Sequence, residues 1–251
     1  MLNMLGISIV DVGERDKTMP VALITGASKG LGLEFAKIFA ANGYNLILGY
    51  YKDTEIGKLV TQLMSNFLGI QIHLVGGDIC APPTIDEFVR ISGICGLDVL
   101  INNAGIYRSG DFPEFSDVDL IKVIDTNLIA PMRLTKALWP FLKKSSGRIV
   151  NINSIAGVEG GGAEAAYSAS KFGLRGFSQS IQFEATRDKI SVLNVTLGAM
   201  NTEMMKGRIN GNPEKFLIDP KEAAKSIAYA SVRGDTLRIS EIEILRRNYA
   251  I

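Results

Sequence analysis

Val21-Ala22-Leu23-Ile24-Thr25-Gly26-Ala27-Ser28-Lys29-Gly30-Leu31-Gly32 is the stretch whose reading decides the fold. Val21 to Thr25 is a continuous run without alternation, as expected of a strand buried on both faces of a parallel sheet. From Leu31 to Asn42 the apolar residues Leu31, Phe35, Ile38 and Phe39 fall on one helical face, and Gly43 stands where a helix commonly ends. Between strand and helix lies a glycine-rich turn. Gly26 permits a tight reversal, Gly30 lets a pyrophosphate approach the backbone, and Gly32 lets the helix pack closely on the sheet. The start of the helix then offers unmet N–H groups and a positive dipole end to an anion.

Outward from this junction the pattern alternates strand and helix, as a parallel sheet requires. Strands are expected at Asn45–Gly49, Ile70–Val75, Leu97–Ile101, Gly147–Ile152, Ile190–Leu197 and Ile242–Leu245. Helices are expected at Glu55–Phe67, Thr84–Ser92, Asp117–Lys143 (interrupted by Pro131), Ala165–Thr186 and from Pro220 to about Val232. Gly198–Asp219 shows no periodicity. The expectation is one doubly wound α/β domain over residues 20–251, with a mainly parallel sheet of about seven strands and helices on both faces. Residues 1–19 lack a basic leader and a cleavage site and read as a mobile extension, with Met19 a candidate true start.

Composition excludes several classes. Of 251 residues, 47% are apolar and 21% charged, which is ordinary for a soluble globular protein. A net charge of +1 gives no electrostatic case for nucleic acid or an anionic membrane surface. No apolar run approaches the roughly 20 residues needed to span a bilayer. Two cysteines, Cys80 and Cys95, are too few for a disulfide framework and point to a reducing, cytoplasmic setting. Neither is grouped with His or acids at metal-ligand spacing, so no metal is expected. The single histidine, His73, lies in a strand-like run and reads as a core residue rather than a catalytic base.

The chemistry concentrates in Asn151–Gly176. Tyr167 and Lys171 are four positions apart at the start of a helix and so share a face, while Ser154 arrives from the preceding strand end. A phenol has a pKa of about 10 in water, and bringing it to about 7 takes roughly 4 kcal/mol of differential stabilisation. A nearby cation in a partly desolvated cleft supplies part of this, giving a tyrosine that exchanges a proton near neutral pH. Ser154 would donate a hydrogen bond to the oxygen that changes charge. Taken alone, such a Tyr–Lys pair is more often a half-buried aromatic beside an extended lysine.

The octet Thr25–Gly32, Asn102-Asn103-Ala104-Gly105, Asn127, Ser154, and Tyr167 with Lys171 together closely resemble the short-chain dehydrogenase/reductase family, from Val21 to about Thr202. The thirteen-residue interval from Ser154 to Tyr167 is similar to the family's spacing. The resemblance implies hydride transfer between a nicotinamide dinucleotide and a carbonyl or alcohol. Tyr167 would be general acid or base, Lys171 would tune it and hold the nicotinamide ribose, and Ser154 would polarise the substrate oxygen. Asn127 would anchor a water for proton relay. Gly26, Ser28, Lys29, Gly30 and Leu31 would bind the cofactor, joined by Asp78 with Ile79 at the adenine, Asn103, Ala104 and Gly105 along the adenosine, and Thr202 at the carboxamide. Leu197 stands where the family commonly has proline.

No acid follows the second strand until Asp53, whereas Lys29 and Lys52 would pair with a 2′-phosphate, so NADP is expected over NAD. Met200, Met204 and Met205 would offer adaptable apolar contacts to substrate, and Val158–Ala166 would line the pocket. Lys206 and Arg208 read as solvated. The C-terminus lacks the glycine-rich ending of acyl-carrier-protein reductases, so a small aldehyde, ketone or secondary alcohol is the expected substrate. A 3-oxoacyl-thioester reductase is the alternative within the family. A non-catalytic dinucleotide-binding regulator is the alternative outside it. The resemblance also implies a homodimer or homotetramer, through the helical regions 117–143 and 165–186.

Overall fold

In a computed structural model of the chain, residues 19–53, 55–205, 217–231 and 238–246 are described. Seven strands form one sheet: β1 (Val21–Ile24), β2 (Asn45–Tyr50), β3 (Ile72–Gly76), β4 (Val99–Asn102), β5 (Arg148–Ile152), β6 (Ser191–Leu197) and β7 (Glu241–Ile244). They are ordered β3-β2-β1-β4-β5-β6-β7 and every pairing is parallel. The helices are α1 (Gly30–Ala41), α2 (Ile56–Asn66), α3 (Pro82–Cys95), α4 (Asp117–Ile124), α5 (Ala130–Ser145), α6 (Ala165–Arg187) and α7 (Pro220–Ser231).

The continuous apolar strands are explained by two cores, one on each face. Alternation along β1 sends Ala22 and Ile24 into the core with Phe35, Phe39, Leu59, Leu63 and Ile227 of α1, α2 and α7. Val21 and Leu23 go to the other, with Phe88, Leu134, Leu138 and Ala185 of α3, α5 and α6. Strand order reverses at β1 and β4, and the crevice beyond the carboxyl ends of such a pair is where open α/β sheets bind ligands.

Boundaries move by one to three residues for local reasons. Thr25 falls just outside the first strand: its N–H still bonds the carbonyl of Ile101, but its hydroxyl rather than its carbonyl accepts from the N–H of Asn103. Helix α3 begins earlier than expected, at Pro82, since proline is tolerated in a first turn, and it runs to Cys95 until Gly96 at φ 81°. The expected break of the long helix at Pro131 lies one turn earlier. Residues Asp125–Ile129 form a π turn in which the N–H of Ala130 bonds the carbonyl of Asp125. Pro131 has no N–H to offer the carbonyl of Asn127 four residues back, so the ladder slips register there. Leu197, in the place of proline, continues β6 and pairs with Ile244 of β7. Residues 1–18, Lys206 and Arg208 lie outside the described residues.

Candidate active site

The turn between β1 and α1 is built around its glycines. Gly26 has φ 65° and Gly30 φ 55°, both in the left-handed region, and a Cβ on Gly26 would come within 3.0 Å of the Ala104 backbone. Gly32 differs from expectation. A Cβ there would lie 2.1 Å from the carbonyl oxygen of Gly26 and 2.7 Å from Nδ2 of Asn103. The third glycine therefore makes room for the turn itself rather than for helix-on-sheet packing.

Asn103 and Thr25 fasten this turn to the end of β4. Nδ2 of Asn103 donates to the carbonyls of Thr25 (2.8 Å) and Gly26 (3.1 Å). The hydroxyl of Thr25 accepts from the N–H groups of Asn103 (3.0 Å) and Ala104 (2.9 Å). Asn103 thus holds the glycine turn in shape while its segment lines the cavity. Helix α1 itself begins with no side-chain cap and no acid in its first turn. Its leading N–H groups have no intrahelical partner, and Lys29, Gly30 and Leu31 face the cavity. A phosphate anion fits there on both geometry and charge.

The cavity measures about 450 Å³. It runs from Tyr50, Asp78 and Ile79 past the glycine turn to Ser154, Tyr167 and Lys171. Ser154 ends the extended segment after β5 and starts a 3₁₀ turn over Ile155–Gly157. Its Oγ accepts from the N–H of Ala156 at 3.2 Å, which leaves the hydroxyl proton to be donated. One turn of α6 separates Tyr167 from Lys171, as their spacing requires. Nζ of Lys171 sits 5.8 Å from the centre of the Tyr167 ring and donates to the carbonyl of Ile152 at 2.9 Å. Lys171 is 6% exposed, and burial alone lowers its pKa to about 8. It remains largely cationic at neutral pH, yet close to the range in which it can exchange a proton.

Of the residues expected at the site, Gly26, Ser28, Lys29, Gly30, Leu31, Asp78, Ile79, Asn103, Ala104, Gly105, Ser154, Tyr167, Lys171 and Thr202 all line this cavity, as do Met200, Met204 and Met205. Asn127 is outside this lining, and two further expectations need correction. Asn127 sits behind the wall, 1% exposed, with its amide bonded to both backbone groups of Ile106 and to Oγ of Ser170. Its side chain is committed to the protein rather than to a relay water. Lys52 is absent from the lining, and its Nζ lies 4.9 Å from the centre of the Tyr51 ring. Within Val158–Ala166 only Glu164 reaches the cavity, because the chain around Gly160–Gly162 runs on the exposed surface.

Sequence reasoning missed Tyr107, and it held Glu164 only as one residue of the expected pocket-lining segment Val158–Ala166. The Tyr107 hydroxyl donates to Oε1 of Glu164, and the Tyr107 ring meets that of Tyr167 edge-on at 4.8 Å. Neither belongs to a motif; both come from loops that only the fold brings together. His73 is half-buried, with Nε2 3.2 Å from Sγ of Cys95, and is not among the residues that line the cavity. Burial, then Arg90, lowers its pKa. Among the described residues no helix is long and apolar enough to cross a membrane, and no three His, Cys, Asp or Glu residues are placed to hold a metal ion.

Known proteins agree with this geometry. A 3-oxoacyl-[acyl-carrier-protein] reductase from Synechocystis sp. is 34% identical over 243 residues, covering 88% of this chain and 96% of that one. An acetoacetyl-CoA reductase from Acinetobacter sp. is 33% identical over 239 residues, with 88% and 96% covered. Among solved structures, a short-chain dehydrogenase from Sphingobium yanoikuyae in complex with NADPH superposes with a TM-score of 0.77 at 26% identity, covering 92% of this chain and 89% of that one. The family described as short chain dehydrogenase matches residues 20–212. With that match, these relatives and a glycine turn, serine, tyrosine and lysine converging on one cavity, the chain belongs to the short-chain dehydrogenase family.

Proposed function

We propose that this protein is an NADP-dependent oxidoreductase that interconverts a small ketone or aldehyde with its alcohol. The observation that carries the reading is the convergence of Ser154, Tyr167 and Lys171 on the cavity that also holds the uncapped start of α1. The dinucleotide, held by Ser28–Leu31, Asp78, Ile79, Asn103–Gly105 and Thr202, supplies or accepts the hydride when bound. In reduction Tyr167 gives its phenolic proton to the carbonyl oxygen, and in oxidation it takes the proton back. Ser154 donates a hydrogen bond to the same oxygen, where charge develops. The Lys171 cation, fixed by the Ile152 carbonyl, stabilises negative charge on the Tyr167 oxygen. For proton relay Asn127 would anchor a water between Lys171 and solvent through a group other than its side-chain amide, which is engaged. NADP is preferred because no acid follows β2 at the cavity while Lys29 lines it, and because relatives of this fold are described with NADPH bound.

Titration with NADPH and separately NADH, followed by nicotinamide fluorescence, tests the reading. Tighter binding of NADPH is expected, together with loss of ketone reduction in Tyr167→Phe at unchanged NADPH affinity. Unchanged turnover in that variant would overturn the mechanism, and binding of neither nucleotide would leave the non-catalytic reading. A second reading, reduction of a 3-oxoacyl thioester, is favoured by the names of the two curated relatives. A cytoplasmic homodimer or homotetramer is part of the same proposal. So is the division into an extension over 1–19 and one catalytic domain over 20–251. Exposed apolar residues on α4 and α6, Val118, Ile121, Phe172 and Phe183, support the assembly.

A further inference from the structure

We propose that Glu164 is a substrate-recognition group, which makes the substrate a small carbonyl compound carrying, besides the carbonyl acceptor, a hydrogen-bond donor: a hydroxyl or an ammonium. The inference rests on the oxidoreductase reading and deepens it. Glu164 occupies the position before α6 where a short polar side chain usually caps the helix, yet its carboxylate makes no capping bond. It is half-buried and faces the cavity instead. Its Oε1 accepts from Tyr107, whose ring packs against Tyr167. The carboxylate therefore sits about one ring from the tyrosine that must touch the reacting oxygen. Its Oε2 is bonded to nothing among the described residues. Gly161 preserves the room around it, since a Cβ there would come within 2.8 Å of that oxygen.

A carboxylate with one oxygen bonded to the protein and the other open can take a hydrogen-bond donor on the second. None of the cations among the described lining residues, Lys29, Lys122 and Lys171, is paired with Glu164. Lys29 lies at the glycine turn and Lys171 at the Ile152 carbonyl. Lys122 is one helical turn from Thr126, whose hydroxyl is 3.6 Å from Cys80 on the Asp78 side. A second anion beside Glu164 would thus meet repulsion, and a purely apolar chain would leave the carboxylate unpaired. A hydroxyl or ammonium satisfies it. On this ground simple keto acids, and acyl thioesters lacking such a donor, are poorer substrates.

The test is a matched set: 4-hydroxy-2-butanone, 4-dimethylamino-2-butanone, 2-pentanone and acetoacetate, reduced with NADPH by the native protein and by Glu164→Gln. Gln keeps an acceptor for Tyr107 but removes the charge. The native protein is expected to favour the two donor substrates over 2-pentanone by about tenfold in kcat/KM, with acetoacetate last. Glu164→Gln should erase most of the preference for the ammonium substrate and raise acetoacetate. Equal kcat/KM for all four, or an equal loss on all four in Glu164→Gln, would overturn the inference. Thermal-shift binding of the same compounds to NADP-loaded Tyr167→Phe reads recognition without turnover. The same order there supports the inference even if no ketone is reduced, a result that would sink the oxidoreductase reading alone. No order in that assay would overturn the role of Glu164.

Discussion

At the scale of single residues, Lys171 carries a measurable cost. Burial lowers its pKa from 10.5 to about 8, so between those values the unfolded chain binds more protons than the folded one. Stability relative to a variant without the amine should then rise with pH through that window, and the penalty should be fully present below it. Against Lys171→Met, the native protein is expected to gain up to a few kcal/mol between pH 8 and 10.5, read from denaturation midpoints without cofactor. Gly32 makes the opposite case, of a residue valued for what it lacks. Gly32→Ala pushes a methyl onto backbone that cannot give way. It should cost about 2 kcal/mol, lowering the melting temperature by roughly 4–8 °C, and weaken NADPH binding in parallel. The Tyr–Lys pair and the glycines were legible in the sequence because spacing alone places them. The part Glu164 plays was not, because it comes from Tyr107, which is 57 residues away.

At the scale of elements, asparagines join the sheet to its helices. Nδ2 of Asn102 on β4 bonds Thr135 of α5 at 3.1 Å and Asn151 of β5 at 2.8 Å, and Asn151 in turn donates to Ser178 of α6 at 2.8 Å. Buried polar links of this kind are expensive to leave half-made. Asn151→Ala should destabilise the protein by about 2–3 kcal/mol in urea unfolding while leaving NADPH affinity nearly intact, since Asn151 is outside the cavity lining. Strand and helix identities followed from apolar periodicity, and each expected strand is present within three residues. The misplaced break at Pro131 shows where such reading stops. A proline announces a lost donor, but the acceptor that responds lies four residues back, and only coordinates show the π turn that results. Asn127 was recognised by motif, yet its motif does not say which of its groups faces inward.

At the scale of the molecule, the two cores and the parallel order were both implied by unbroken apolar strands, whereas the assembly was not. Phe183 on α6 is 79% exposed, and with Phe172, about three turns earlier on the same helix, it belongs to the face the proposed assembly would cover. Phe183→Asp is expected to shift sedimentation toward a smaller species at equal concentration, with secondary structure retained. An unchanged mass would remove α6 from the proposed interface.

The fastening of Thr25 to Asn103 has a kinetic side. It joins residues 78 positions apart, and β1 gains its partner β4 only after α1, β2, α2, β3 and α3 have been laid down. On a growing chain the first strand and its glycine turn wait, with one edge unpaired, until residues beyond 100 emerge. Loop closure over such a separation comes late and slowly. The nucleotide crevice is therefore expected to be among the last parts to take shape during folding, and a ligand that grips it to act after the rate-limiting step. NADPH should prolong the life of the folded protein without hastening its birth.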